Sequence, residues 1–384
     1  MKIYNSRTRK KEEFKPLKKG EVTLYVCGIT PYDTTHLGHA FTYISFDAVV
    51  KYLIYKGYKV NYTQNVTDID DDILRKAKEE KEDWRKLGNF WTEKFLEDLK
   101  FLNILIPNHY VKATNSIDEI IEINKDLFKK GMAYENGGNL YYDVSKFKSY
   151  GKLSKYSKRQ MLILLKERGG DPNDPLKKNK LDFILWQKSK KGEPFWESPW
   201  GNGRPGWHIE CSAMVRRFLG EQIDIHGGGK DLIFPHHESE IAQSESYTEK
   251  EPFVGKWMHT AMVMCSGEKM SKSLGNLVMV SKLSKKYPSN VIRWMLLSNH
   301  YRMPWEYDDS LMTIAKKEYS MIEKILEKKG NYSVNPKAVK KFEEFMEDDF
   351  QVQKVLRFVL RLSGKEENKE TIKMILEILG FKVI

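Results

Sequence analysis

The sequence predicts an α/β fold: a doubly wound parallel sheet, split by an insertion and followed by an α-helical domain. Three observations carry that expectation. Strand, turn, helix and strand patterns follow one another over residues 20–67. A second succession of the same kind starts near residue 206, and beyond about residue 305 the apolar spacing is helical to the end.

Taken in order, VTLYVCG (22–28) is an apolar, β-branched run that reads as a buried strand. The turn-rich ITPYDTTHLG follows, and HAFTYISFDAVVKYLIYKG then keeps apolar residues at helical spacing up to Gly57. KVNYTQNVT (59–67) is the next strand. Strand, crossover helix and strand make a parallel pair whose ligand loops lie past the carboxyl ends, so chemistry is expected near Cys27 to His39 and Asn65 to Asp68. Helical stretches follow at 73–105 and 116–131, and the segment 132–205 mixes short strand runs such as NLYYDVS with turn clusters such as ERGGDPNDP. The second half runs through GWHIECSAMVRRFLG, a short apolar run at Ile223–Ile225, a triple glycine, a helix from about residue 235, and a last strand in HTAMVMC ending at Cys265. SLMTIAKKEYSMIEKILEKK, the breaker GNYSVNP and two further helices complete the chain. The expected division is 1–115 for the first half of the doubly wound domain, 116–205 for the insertion, 206–305 for its second half and 306–384 for the helical domain.

Composition narrows the function classes. The 384 residues carry 65 Lys+Arg against 53 Asp+Glu, a net +12, with 40% hydrophobic residues, which excludes both a short disulfide scaffold and a disordered chain. A basic surplus suits nucleic acid, an anionic membrane surface or nucleotide phosphates, although lysine-rich helices with solvated heads give the same sum. No window approaches the roughly 18 uninterrupted apolar residues of a membrane span, and MKIYNSRTRKKEEF lacks a signal-peptide core. A cytoplasmic protein with no membrane partner is expected. Three cysteines, Cys27, Cys211 and Cys265, are too few and too odd in number for a disulfide framework and point to metal binding or free thiols.

Two short motifs carry phosphate chemistry. His36-Leu37-Gly38-His39 sits where a strand gives way to a helix, and two imidazoles beside a helix N-terminus can stabilise growing negative charge; a glycine turn with a capping histidine is the plainer reading. Lys269-Met270-Ser271-Lys272-Ser273 precedes Leu274-Gly275-Asn276, and its two lysines suit a polyphosphate as well as they suit a solvated turn. No GxGxxG follows a strand, no P-loop spacing occurs, and no HExxH helix is present. The acidic run Asp68 to Asp72 reads as a helix start, with no catalytic role.

Together, HxGH near the start and KMSKS about 230 residues later resemble the paired signature of class I aminoacyl-tRNA synthetases, whose catalytic domain is Rossmann-like. In detail the chain resembles the cysteinyl-tRNA synthetase family, with features of the related cysteine:glucosaminyl-inositol ligase of mycothiol synthesis. The resemblance implies catalytic roles for His36, His39, Lys269 and Lys272. It also implies a single Zn²⁺ on Cys27, Cys211, His236 and Glu240, donors whose soft thiolates, imidazole and carboxylate suit tetrahedral zinc, with His236 and Glu240 at i and i+4 on one helix face. A substrate bound through sulfur explains how cysteine is told from serine, a near-isostere that fit alone separates poorly. Thr30, Thr42, Thr67, Trp207, Gly229, Lys230 and Asp231 are expected to line the aminoacyl-adenylate pocket, and His226 to lie near the substrate cysteine. Cys265 is expected to be a bystander.

The implied reaction is ATP-dependent ligation with Mg²⁺ arriving on the nucleotide: cysteine is activated as cysteinyl-AMP and then passed to tRNA-Cys. The alternative acceptor is an amino-sugar amine, favoured by CGITPYDTTHLGHAFTY and by Glu167-Arg168-Gly169-Gly170-Asp171-Pro172. The net +12 argues for tRNA, whereas a tail ending at Ile384 without the anticodon-reading module common in the family argues the other way. LKKNKLDFILWQKSKKG (176–192) is a candidate contact for the acceptor stem or a solvated loop. A monomer is favoured over a homodimer. A third reading is a catalytically silent RNA-binding paralogue, which the full set of motifs disfavours.

Overall fold

A computed structural model describes residues 1–32, 35–270, 274–330 and 332–383. Its centre is a sheet of five strands: β1 (Glu21–Ile29), β2 (Lys59–Val66), β3 (His109–Lys112), β4 (Ile223–Gly229) and β5 (Val254–Thr260). Every pair is parallel and the spatial order is β3-β2-β1-β4-β5. The chain therefore winds one way from β1 and, after the insertion, the other way from β4. The order reverses between β1 and β4, and that is where a doubly wound sheet opens a crevice at its carboxyl edge.

Alternation along β1 sorts its side chains onto two faces. Leu24 and Val26 join the core under α1 (Leu37–Tyr55), while Tyr25 and Cys27 join the core formed with α2 (Trp207–Leu219) and α3 (His236–Thr248). Two glycines let this packing close. A Cβ at Gly28 would lie 1.6 Å from the Asn65 carbonyl oxygen, and one at Gly227 would lie 2.2 Å from the Phe46 ring. The chain crosses from β1 to α1 with His36 as the helix N-cap.

The insertion is a four-stranded antiparallel sheet of Ala133–Asn136, Asn139–Tyr142, Phe183–Lys188 and Gly203–Pro205. Its core includes Ile209 of α2 and Ala242 of α3, so it is seated on the same two helices that face Cys27. The C-terminal helices Asp309–Leu326, Pro336–Met346, Val352–Leu362 and Lys369–Ile378 share one core with α1 and with the helix Ser289–Leu297. Arg293, fully buried, fastens this union: it donates to the Leu379 carbonyl at 2.8 Å and the Leu102 carbonyl at 3.0 Å, and pairs with buried Asp47 of α1.

Several expectations need correction. HTAMVMC is not one strand. β5 ends at Thr260, and Val263–Cys265 pairs instead with Trp305–Tyr307 in a separate three-stranded sheet. The triple glycine lies inside β4 rather than after it. Among the described residues three α-helices, not two, follow the breaker, because Asp349 and Phe350 adopt positive φ and divide what reads as a single helical run. The N-terminus forms an unforeseen hairpin, Lys2–Asn5 with Lys10–Glu13. It bridges β5, through Asn5 to the Gly255 carbonyl (3.1 Å) and the Trp257 amide (3.2 Å), and the helical tail, through Lys2 to Glu347 and Asp349. Among the described residues no helix is long and apolar enough to cross a membrane.

Candidate active site and metal centre

A cavity of about 540 Å³ opens at the switch point, past the carboxyl ends of β1, β2 and β4. Thr30, His36, His39, Thr42, Thr67, Trp207, Gly229, Asp231 and Lys269 all contribute to its wall, together with Cys27, Cys211 and His236. Residues separated by more than two hundred positions are thus gathered by topology alone. Lys272 lies outside the described residues. Lys230 is exposed and off the wall, because it opens a short 3₁₀ turn whose first side chain faces solvent. His226 is also off the wall: alternation in β4 turns it beneath the floor, where it lies 2.8 Å from Glu240 and stacks on Trp257. Cys265 does not line the cavity.

At the base, one sulfur comes from the end of β1, the other from the second turn of α2, and the imidazole and carboxylate from α3. Cys27 Sγ and Cys211 Sγ are 4.0 Å apart, Cys27 Sγ and Glu240 Oε1 3.8 Å, and His236 Nε2 and Glu240 Oε1 3.1 Å. All four side chains are buried, and their donor atoms lie within 4.8 Å of one another. Tetrahedral zinc with sulfur at about 2.3 Å and nitrogen or oxygen at about 2.0–2.2 Å spaces its donors about 3.3–3.8 Å apart, so the tetrad fits that ion in chemistry and in size.

The buried groups set one another's charges. Burial pushes Glu240 upward, but the charges of His226 and His236 outweigh it and hold the carboxyl at about 2. Burial likewise opposes the charged form of His236, yet Cys211 and Glu240 lift it to about 10. Cys211 comes down to about 6 against burial, through its hydrogen bond with Cys27 and the charge of His236, while Cys27 is raised by burial and by Cys211. One thiolate and one carboxylate therefore share a common point with a protonated imidazole, whose proton must leave before its nitrogen can bind a metal.

Higher on the wall, His36 Nδ1 accepts from the amides of Gly38 (3.0 Å) and His39 (3.4 Å), which leaves the proton on Nε2. The two rings stack with centroids 3.8 Å apart. His36 thus both caps α1 and lines the cavity. Thr42 and Thr260 hydroxyls meet at 2.7 Å, the Asn65 amide reaches the Thr67 hydroxyl at 3.3 Å, and Trp207 stacks on His236 at 4.4 Å. Asp70 caps the helix Asp71–Glu80 by accepting from the Ile73 amide, so the acidic run is a helix start.

Sequence reasoning missed the imidazoles behind the tetrad. His208 Nδ1 stands 3.0 Å from His236 Nδ1, and His237 Nε2 stands 3.3 Å from Cys27 Sγ. Both sit in motifs already singled out, WHIEC and PHHES, and the signal available was adjacency to a ligand. Burial, followed by like charge from neighbouring imidazoles, drives the pKa of both well below the ordinary value, so both are neutral.

The family described as tRNA synthetases class I (C) catalytic domain matches residues 13–317. The chain is 48% identical over 382 residues to a cysteine–tRNA ligase of Thermococcus onnurineus, covering 95% of this chain and 79% of the relative. It is 45% identical over 375 residues to the cysteine–tRNA ligase of Dehalococcoides mccartyi, covering 96% and 81%. In fold it is similar to Mycobacterium tuberculosis methionyl-tRNA synthetase in complex with methionyl-adenylate (TM-score 0.65, 16% identity, 94% and 89% coverage). It is likewise similar to the Agrobacterium radiobacter LeuRS of a ternary tRNA complex (TM-score 0.68, 10% identity, 96% and 84% coverage). These relatives lend no support to the amino-sugar alternative. With a family match across most of its length and its motifs gathered around one cavity, the chain belongs to the class I cysteinyl-tRNA synthetase family.

Proposed function

We propose that the protein is a cysteine–tRNA ligase, which activates L-cysteine with ATP to cysteinyl-AMP and transfers the cysteinyl group to tRNA-Cys. The observation that carries this reading is the buried Cys27/Cys211/His236/Glu240 tetrad at the base of a cavity whose upper wall holds His36, His39 and Lys269. When bound, zinc on those four residues supplies a Lewis-acidic, sulfur-preferring contact for the side chain of the amino acid.

The chain's own groups do the rest. With its sulfur at the base, the substrate carboxylate points up the cavity towards ATP. A carboxylate oxygen attacks the α-phosphorus, the bond to the bridging oxygen breaks, and pyrophosphate leaves with the electron pair. His36 Nε2–H, His39, Lys269 and Lys272 donate to the phosphoryl oxygens as their charge grows, and Mg²⁺ arrives with the nucleotide. Thr30, Thr42 and Thr67 orient the adenylate, Trp207 shields the sulfur end from water, and Asp231 beside Gly229 accepts from ribose hydroxyls. In the second step the terminal ribose hydroxyl of tRNA-Cys attacks the carbonyl carbon, the bond from that carbon to the phosphate oxygen breaks, an ester forms, and AMP departs with the electron pair while a phosphate oxygen takes up the hydroxyl proton. No protein nucleophile is involved.

The test offers purified protein labelled cysteine and ATP with either tRNA-Cys or an amino sugar. Cysteine-dependent ATP–pyrophosphate exchange together with label on tRNA is the expected result. Exchange with label only on the sugar would overturn the acceptor, and no exchange would overturn the activity.

A further inference from the structure

Behind the tetrad, imidazoles contact three of the four ligands: His208 for His236, His226 for Glu240 and His237 for Cys27. The last of these continues outward. His237 Nε2 is 3.3 Å from Cys27 Sγ, His237 Nδ1 is 2.8 Å from His259 Nε2, and His259 Nδ1 is 2.7 Å from the hydroxyl of Ser6. His237 is 0% exposed and His259 5%, whereas Ser6 is only partly buried, so a single file of hydrogen bonds runs from a candidate metal ligand to the molecular surface.

Ser6 is held in register for this contact. Its amide donates to the Trp257 carbonyl at 2.9 Å, and neighbouring Asn5 grips the Gly255 carbonyl and the Trp257 amide, so the hairpin is fixed to β5, the strand that carries His259. Elements at opposite ends of the catalytic domain thereby meet at one ring.

We propose that Ser6 and His259 are positioning residues for the metal centre: the Ser6 hydroxyl sets the tautomer of His259, which sets that of His237, so that His237 Nε2–H donates to the sulfur of Cys27. The inference rests on the metal reading given above. A sulfur engaged with a metal is a thiolate and only accepts. His237 then donates from Nε2 and accepts at Nδ1; His259 donates from Nε2 to that atom and accepts at Nδ1; and Ser6 donates. With one proton on each ring, this direction alone puts one proton in every contact. A hydrogen-bonded thiolate gives less electron density to its metal, and outer partners of this kind tune both affinity and ligand strength.

The full chain loaded with Co²⁺ in place of zinc tests this through the sulfur-to-cobalt charge-transfer band, whose energy follows electron density on the thiolates. Ser6→Ala and, independently, His259→Phe are expected to move the band to longer wavelength, since the thiolate regains electron density, and to weaken Co²⁺ about tenfold in chelator competition, since the sulfur is no longer held in place for the metal. Ser6→Thr, which keeps the hydroxyl, restores both. A band and an affinity unmoved in Ser6→Ala and His259→Phe overturn the relay while leaving the metal centre standing. Equal shifts in Ser6→Ala and Ser6→Thr overturn it as well, since packing rather than the hydroxyl would then be responsible. Wild-type protein with no thiolate–cobalt band overturns the metal reading, and the relay falls with it.

Discussion

The two ends of the cavity are built in opposite ways. At the base, Cys27, Cys211, His236 and Glu240 are 5%, 1%, 1% and 0% exposed, and a second layer of imidazoles contacts three of them. Near the mouth, His36 and His39 are half-buried and Lys269 is exposed on a two-residue strand. The contrast follows the chemistry proposed for each. Telling sulfur from oxygen needs a fixed, dry donor set, because one atom's difference is recognised by bonding character. Charge on a triphosphate can be met by hydrogen-bond donors and a lysine that stay in water until the ligand brings them together.

The largest expected effect would break the comparison at the base. Cys211→Ala should leave less than about a tenth of the wild-type zinc and cut the preference for cysteine over serine in pyrophosphate exchange by about 10⁴. Unchanged metal content and selectivity would mean that the buried pole is ordinary core. At the mouth, His39→Ala and Lys272→Ala should each slow adenylate formation about 10²–10³-fold while the KM for cysteine stays within about threefold; a change in KM alone would assign these residues to substrate binding instead. Salt separates the poles without a mutation. Between about 50 and 200 mM, the KM for tRNA should rise about tenfold and that for cysteine less than about twofold, since only the exposed groups feel the ionic atmosphere. Trp207→Ala sharpens the boundary between the two: loss of its stacking on His236 should raise the KM for cysteine about fivefold with kcat nearly unchanged.

Much of this plan was readable in the sequence where local pattern and long-range topology agree. VTLYVCG, HAFTYISFDAVVKYLIYKG and KVNYTQNVT announce a strand, a crossover and a strand, and the structure keeps their bounds to within two residues. The tetrad was reachable because each ligand sits in a distinctive motif. What escaped has a common cause: it is defined by partners rather than by periodicity. His109–Lys112 is four residues long and becomes a strand only because β2 lies beside it. Val254–Thr260 and Val263–Cys265 form one continuous run of strand-forming residues, and only their pairing with different sheets divides them. Ser6 carries no local mark at all, and its position becomes meaningful only when the hairpin is laid along β5.

Arg293 has a consequence for how the molecule can be taken apart. One guanidinium satisfies carbonyls from two regions far apart in sequence and neutralises Asp47, while the apolar interior runs without a seam from beneath α1 into the terminal helices. A cut near residue 306 would strip the roof from the catalytic unit rather than release a detachable reader. Melting should accordingly report one transition for both regions, and exchanging the tail for a foreign one would fail unless the lid over α1 travelled with it.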